Sequence, residues 1–213
     1  MIDALIKVII AYLLGSAMGS LVLGRLLGGV DVRTQGSGNA GATNAWRVRG
    51  AKFGLAVFAI DVGKGLLAAL VLPRVMLPGI AAAPSYEVGL ACGVAVVLGH
   101  LFPLFFRFRG GKGAATLVGV YLSLIPAAMP FMFAVWVVVL LLTGFVGLST
   151  MLAAWTAVAY VAFYASHGVA SPAGLFAVAM ACLVVYTHRA NIRRMLRREE
   201  NRFEKAMLLR RLF

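Results

Sequence analysis

The stretch Gly36-Ser37-Gly38-Asn39-Ala40-Gly41-Ala42-Thr43-Asn44-Ala45-Trp46-Arg47 gathers residue types that hold an anion. Gly36, Gly38 and Gly41 accept left-handed angles, so successive N–H groups can form a concave nest. Ser37, Asn39, Thr43 and Asn44 add short polar side chains, and Arg47 adds a fixed fork of donors. A tight turn between helices would account for the glycines but not for so many polar residues together. The spacing Gly36-x-Gly38-x-x-Gly41 also matches the dinucleotide fingerprint, with Asp61 falling 20 residues beyond Gly41. That fingerprint needs a preceding strand and a soluble βαβ unit. Here apolar runs of helical length flank the loop, so the fingerprint is rejected and the anion cradle remains.

A second polar stretch runs from Gly99-His100-Leu101-Phe102-Pro103 to Gly110-Gly111-Lys112-Gly113. Gly110 and Gly111 can offer N–H groups and Lys112 an ammonium to a phosphate at the start of the next helix, where the dipole adds attraction. It is not a Walker A loop, because no Ser or Thr follows Lys112. Arg107 and Arg109 read as membrane anchors. His100 sits at a helix end and suits either an interfacial histidine or a site role. A third stretch, His188-Arg189-Ala190-Asn191, places His188 and Asn191 one helical turn apart, able to face one ligand.

Several catalytic sets are missing. No His is followed, after four intervening residues, by Asp, and no Gly-x-Ser-x-Gly elbow occurs. No His, Cys or carboxylate cluster has metal-ligand spacing, so no metal and no cofactor is expected. What remains is anion positioning and electrostatics.

The elements that carry these loops are apolar. The 213-residue chain is 62% hydrophobic and 13% charged, against about 25% charged in a soluble domain. Most of it must face lipid or other apolar helices. The net charge of +13 comes from short basic clusters between apolar runs, which fits positive-inside loops and anionic headgroups or substrates. No basic and aromatic platform continues along a soluble segment, so no nucleic acid is expected. Cys92 and Cys182 each lie within an apolar run and read as packing residues. The apolar stretch 4–23 lacks a basic start and an Ala-x-Ala site, so it reads as a retained span rather than a cleaved signal.

A spanning helix needs ~20 apolar residues. Residues 4–24, 53–72, 86–106, 149–165 and 171–187 each supply one. The loop 25–52 carries Arg25, Arg33, Arg47, Arg49 and Lys52 against Asp31 alone, which marks it cytoplasmic and puts the N-terminus outside. The tail 188–213 holds nine Lys or Arg and three acidic residues, so it too should be cytoplasmic. Parity then requires two crossings or a re-entrant pair in 114–142, where Pro126 and Pro130 interrupt the run. The expected fold is an all-α integral membrane protein of about seven transmembrane helices, a single domain over 1–213 with a cytoplasmic basic tail. The loops 31–50, 107–113, 143–149 and 188–191 then share one face, while His167 falls on the other and is set aside. The tail from Arg189 reads as an amphipathic basic helix lying on anionic lipid. Asp61 and Lys64, at i and i+3 in the second run, share a helix face and can pair. They are either a buried structural pair or a device ordering the polar loop.

Together these loops resemble the three motifs of the bacterial acyl-phosphate:glycerol-3-phosphate acyltransferase family. The matching stretches are Gly36 to Asn44 with Arg47, Gly99 to Gly113, and His188 to Asn191; Asp61-x-x-Lys64-Gly65 is also family-like. The similarity runs from about residue 5 to residue 203. Ala190 stands where the family usually has Glu, and Gly147 where Ser is common, with Ser149 and Thr150 nearby. The resemblance implies a multi-pass bacterial inner-membrane enzyme with its site on the cytoplasmic face. It would transfer an acyl group from acyl phosphate to the 1-hydroxyl of sn-glycerol 3-phosphate, giving lysophosphatidate and phosphate, the first step of phospholipid synthesis. Functional coupling to an acyl-phosphate synthase would follow.

On that reading Ser37, Arg47, Lys112, His188 and Asn191 form the catalytic set that holds glycerol 3-phosphate. Gly36, Gly38, Asn39, Gly41, Thr43, Asn44, Gly110 and Gly111 bind substrate, with Thr43 and the backbone of Asn39, Gly110 and Gly111 on the acyl phosphate. The resemblance suggests that a substrate phosphate takes the hydroxyl proton; His188 is the protein group that could. A transporter of a phosphorylated solute is the rival class, since glycine-interrupted helices near charges occur there too. The parity count gathers the motifs on one face, whereas a transporter site sits near the midplane.

Overall fold

In the computed structural model, residues 1–80, 85–203 and 207 are described. They form α-helices, short 3₁₀ turns and one π turn, with no strand among the described residues. The chain packs as two compact units, Met1–Leu124 and Ile125–Phe213.

The first unit holds α1 (Ile2–Ser16), α2 (Gly19–Leu26), α3 (Ala42–Arg49), α4 (Ala51–Leu66), α5 (Tyr86–Leu101) and α6 (Ala114–Leu124). The run 4–24, expected as one helix, is broken. Ala17 and Met18 take extended angles, and α2 leaves α1 at 50°. The break would leave carbonyls at the end of α1 and N–H groups at the start of α2 without helical partners. A buried ion pair on α4 supplies them. Lys64 Nζ donates to the carbonyls of Gly15 and Ala17 at 2.9 and 3.0 Å, and Asp61 Oδ1 accepts from the Gly19 N–H at 3.4 Å. Lys64 and Asp61 pair at 3.0 Å. The expected pairing is therefore present, and its position shows what it does. It splices a helix broken in the apolar interior, with the cation at a helix C-terminus and the anion at an N-terminus.

Lys7, inside the same apolar run, is also buried. It pairs with Asp3 at 2.9 Å and donates to the Pro73 carbonyl at 3.0 Å, where α4 ends in a π turn and a 3₁₀ turn. Small residues let the helices approach closely. A Cβ on Gly15 or Gly99 would meet opposing backbone across α1 and α5, and one on Gly65 or Gly119 would do so across α4 and α6. Cys92 is buried as expected, but Cys182 is exposed. Beneath the first polar loop, Met18, Leu21, Val32, Ala40, Ala45, Phe53, Val57 and Phe106 form one apolar cluster.

The second unit holds α7 (Met129–Thr143), α8 (Val146–Tyr164), α9 (Pro172–Thr187) and α10 (Arg189–Leu196). The run 114–142 does contain two helices. Pro126 follows Ile125, whose angles leave the helical region, and Pro130 sits in the first turn of α7, where a missing N–H costs little. The expected polar loop 143–149 shrinks to Gly144 and Phe145. Gly144 caps α7 in the left-handed region, with φ 72°, and Gly147 and Ser149 belong to α8. Among its described residues the basic tail is helical only to Leu196; residues 204–206 and 208–213 lie outside the described residues.

Among the described residues, four helices are long and apolar enough to cross a membrane: Ala51–Arg74, Tyr86–Phe106, Pro126–Thr143 and Val146–Tyr164. The number is six when the bent pairs α1–α2 and α9–α10 each count as one span. Ala114–Leu124 is apolar but only 11 residues long.

Candidate active site

The first loop is held from beneath by Asn44. Its buried amide accepts from the Ser37 N–H at 2.8 Å and donates to the carbonyls of Val32 and Gln35 at 2.8 and 3.0 Å. Asn44 was expected among the substrate contacts. Its carbonyl and both its hydrogens instead close the loop on itself. Gly36 and Gly38 have φ of 60° and 71°, and a Cβ on Gly36 would strike the Asn44 carbonyl oxygen. Gly41 is the N-cap of α3, tight against Asn39, whose Nδ2 would lie 2.8 Å from a Cβ there. With the loop so fixed, Ser37, Thr43 and Arg47 are exposed. Thr43 and Arg47 stand one turn apart on α3, whose first-turn N–H groups face the loop. Arg47 has no hydrogen bond or ion pair with any described residue.

The second loop departs from expectation. The N–H groups of Gly110 and Gly111 do not point outward; they donate to the carbonyls of Leu101 and His100 at 3.2 and 3.1 Å. They complete the C-terminal end of α5, whose last carbonyls need donors. Lys112 is half-buried just before α6. His100 is buried under the loop, its Nε2 so close to Gly111 that no Cβ fits there. Its Nδ1 lies 3.1 Å from Thr116 Oγ1 and 3.6 Å from Asp61 Oδ1. His100 therefore connects the splice at the α1–α2 break to the glycine loop.

Arg33 joins the two loops, a role that counting basic residues could not reveal. Its guanidinium is clamped by Asp31, with contacts of 2.7 and 3.0 Å, and donates to the carbonyls of Phe106 and Arg109 at 3.3 and 2.9 Å. Arg107 and Phe108, between those carbonyls, both hold left-handed angles, φ 56° and 58°, a strain of ~1–3 kcal/mol each for such residues. The Arg25 guanidinium lies 5.1 Å from the centre of the Phe106 ring. The Arg33 hydrogen bond holds the Asp31 carboxyl below its ordinary value. A lowered pKa means that the Asp31–Arg33 clamp is intact above the ordinary carboxylate range and is lost as pH falls through the lowered value. The signal available in the sequence was Asp31 itself, the single acid in the loop and two residues from Arg33.

In the second unit, His188 stands at the 53° bend between α9 and α10. Its Nδ1 lies 2.8 Å from the Val184 carbonyl. A carbonyl only accepts, so in the neutral ring Nδ1 carries the proton and Nε2 the lone pair. Asn191 follows one turn later, as expected, and packs against Gly147, where a Cβ would lie 3.2 Å from its amide. No group of three or more His, Cys, Asp or Glu among the described residues is arranged to hold a metal ion.

The glycerol-3-phosphate acyltransferase family model matches residues 5–198. The glycerol-3-phosphate acyltransferase of Bacillus velezensis is 43% identical over 194 residues, 91% of this chain and 94% of its own length. That of Aquifex aeolicus is 40% identical over 200 residues, 94% and 99% of the two chains. The crystal structure of PlsY (YgiH), an integral membrane glycerol 3-phosphate acyltransferase, superposes in its glycerol 3-phosphate form with a TM-score of 0.82 at 40% identity, covering 94% of this chain and 95% of that one. Its lysophosphatidic acid form gives 0.80 over the same shares. The polar loops, the apolar helices that carry them and these likenesses agree: the chain belongs to the glycerol-3-phosphate acyltransferase family, integral membrane enzymes of phospholipid synthesis.

Proposed function

We propose that the acyl donor is an acyl phosphate and that the acceptor is the 1-hydroxyl of sn-glycerol 3-phosphate. The hydroxyl oxygen attacks the acyl carbonyl carbon and an ester bond forms. The bond from that carbon to the bridging phosphate oxygen breaks, and inorganic phosphate leaves with the electron pair. Lysophosphatidate is the other product. The observation that carries this reading is Arg47, an exposed guanidinium with no described partner, one turn from Thr43 above a loop rigidly closed by Asn44. Such an arrangement suits a phosphate and offers nothing covalent. A mixed anhydride has a good leaving group, so alignment suffices, and alignment alone can supply ~7–11 kcal/mol.

In this reading Ser37, Arg47 and Lys112 hold glycerol 3-phosphate, and Thr43 with the Asn39 backbone holds the acyl phosphate headgroup. His188 and Asn191 enter on their sequence motif. Residues 1–213 act as one membrane-embedded domain of about seven passes, N-terminus outside and C-terminus cytoplasmic, in a bacterial inner membrane. Purified protein given palmitoyl phosphate and radiolabelled glycerol 3-phosphate should form labelled lysophosphatidate and phosphate in equal amounts. In sealed vesicles it should do so only when glycerol 3-phosphate is supplied on the cytoplasmic face. Flux of label across the vesicle without acyl transfer would identify a transporter instead.

The hydroxyl proton passes to a substrate phosphate, and His188→Gln is the check. General-base work contributes ~10²–10⁴-fold. Retention of more than about a tenth of kcat leaves the proton with the phosphate; a loss in the larger range gives it to Nε2 of His188.

The Asp31–Arg33 clamp yields a separate expectation. Arg33→Met should lower kcat/KM about tenfold, the size of one charge-assisted hydrogen bond, mainly by raising KM for both substrates. Unchanged KM values would mean that the two loops keep their places without it.

A further inference from the structure

The first two polar loops sit at one end of the first unit: α4 leaves them at Ala51, α5 runs into them at Leu101 and α6 leaves them at Ala114. The far ends of the same three helices enclose a cavity of about 490 Å³. Two apolar spans stop there, Ala51–Arg74 ending and Tyr86–Phe106 beginning at residues that line it. Spans of that length put the cavity roughly 30 Å from the loops, the thickness of a hydrocarbon core, and so at the level of lipid headgroups.

The cavity lies where α4 loses its regular winding. A π turn, Leu67–Val71, and a 3₁₀ turn, Leu72–Arg74, replace its last turns, and Ala69 and Pro73 from them form one wall. Gly89 brings α5 in close: a Cβ there would lie 3.1 Å from the Ala69 carbonyl oxygen and 3.0 Å from Leu124 Cδ2. Such π turns are frequent at functional sites, and this one is remote from the catalytic loops.

The polar lining offers donors. Arg74 is exposed, and one of its five N–H groups reaches the Leu70 carbonyl. The rest of the guanidinium bonds to no described residue, which leaves an edge for a phosphate. Ser85 accepts from the Val88 N–H at 3.1 Å and keeps its own hydroxyl proton to give. The Ser123 and Tyr86 hydroxyls donate to the carbonyls of Gly119 and Leu124 at 2.8 and 3.3 Å and brace the walls. Among the described residues no acidic side chain lines the cavity; the exposed Glu87 beside Tyr86 is not part of the lining. Val75, Met76 and Leu122, next to the lining, are exposed and apolar, a surface for acyl chains.

We propose that this cavity holds the phosphate headgroup of an anionic phospholipid, gripped by Arg74 and Ser85, on the side of the bilayer away from the catalytic loops. The occupant is a lipid because the mouth lies where apolar spans end. It is anionic because a zwitterionic headgroup would bring its cation to a guanidinium with no carboxylate in the lining to meet it.

The test is thermal melting of the purified full chain in a non-ionic detergent, with dioleoyl phosphatidylglycerol, dioleoyl phosphatidylcholine or inorganic phosphate added. Phosphatidylglycerol should raise the melting temperature by about 5 °C, the shift a ligand in about hundredfold excess over its Kd gives a chain of this length. Phosphatidylcholine should give much less. Arg74→Gln should lose most of the phosphatidylglycerol rise. The double variant Arg193→Gln with Arg197→Gln, two exposed changes on α10, should keep most of it, which separates the cavity from general attraction to the basic tail. A full rise in Arg74→Gln overturns the proposal, as does no rise in the parent. An Arg74-dependent rise of equal size with phosphatidylcholine overturns the anionic headgroup, and one with inorganic phosphate overturns the lipid and leaves a site for a free anion. Should Arg74→Gln not fold, Arg74→Lys decides: it keeps the charge but not the fork, so the rise should shrink, and a full rise overturns the proposal.

Discussion

Arg47→Ala lowers kcat/KM for glycerol 3-phosphate by about 10²–10³-fold while leaving the melting temperature unchanged. Both halves of this expectation come from the same observation. The guanidinium is exposed on α3 and bonds to no described residue, so its removal takes nothing from the fold. Surface changes away from packed features stay within about 0.5 kcal/mol. The functional loss is large because a guanidinium meets a phosphate through two parallel charge-assisted bonds. Each is worth about 1.5–3 kcal/mol, and 1.4 kcal/mol is tenfold in an equilibrium constant. Arg47→Lys keeps the charge but not the fork, and should recover only part of the activity. Steady-state kinetics over both substrates, with a thermal melt of each variant, separates the terms. Near-parental turnover with no rise in KM in Arg47→Ala would remove Arg47 from the site.

The loops themselves were legible because their chemistry is local. Glycines with short polar residues between apolar runs mark polar turns between helices without any knowledge of tertiary contacts. What was not legible was the use of each donor. Gly110 and Gly111 looked like free N–H groups, but α5 ends at Leu101, and its last carbonyls take those donors. Asn44 looked like a ligand, yet a loop with two left-handed glycines needs a brace, and this amide is the brace. Arg33 was one basic residue among five until the fold brought the carbonyls of Phe106 and Arg109 to it. The break at Ala17 and Met18 left no Pro in the sequence; only Gly15 and Gly19 around it hinted at an interruption. The partner of that break, Asp61 with Lys64, was visible as a pair but not as a splice, because its carbonyl and N–H partners come from another helix.

That splice carries the largest expected effect on stability. Lys64→Ala leaves the Asp61 carboxylate buried and removes the donor from the Gly15 and Ala17 carbonyls at one stroke. Breaking a buried pair by losing one partner costs about 3–5 kcal/mol. For a chain of this size that corresponds to a fall in melting temperature of roughly 10 °C. Asp61→Leu should be comparable, since it leaves an ammonium with only carbonyls for company and opens the start of α2. The double variant Asp61→Leu with Lys64→Met removes both charges, so it should lose less than the two single changes added together. It should still fall short of the parent, because the broken helix keeps its unpaired backbone groups, at about 1–3 kcal/mol each. Thermal melts of the four proteins in one detergent decide the matter. Single variants that melt with the parent would show that the α1–α2 break holds its shape without the pair. In that case His100, which reaches Asp61 from beneath the glycine loop, would have no splice to transmit.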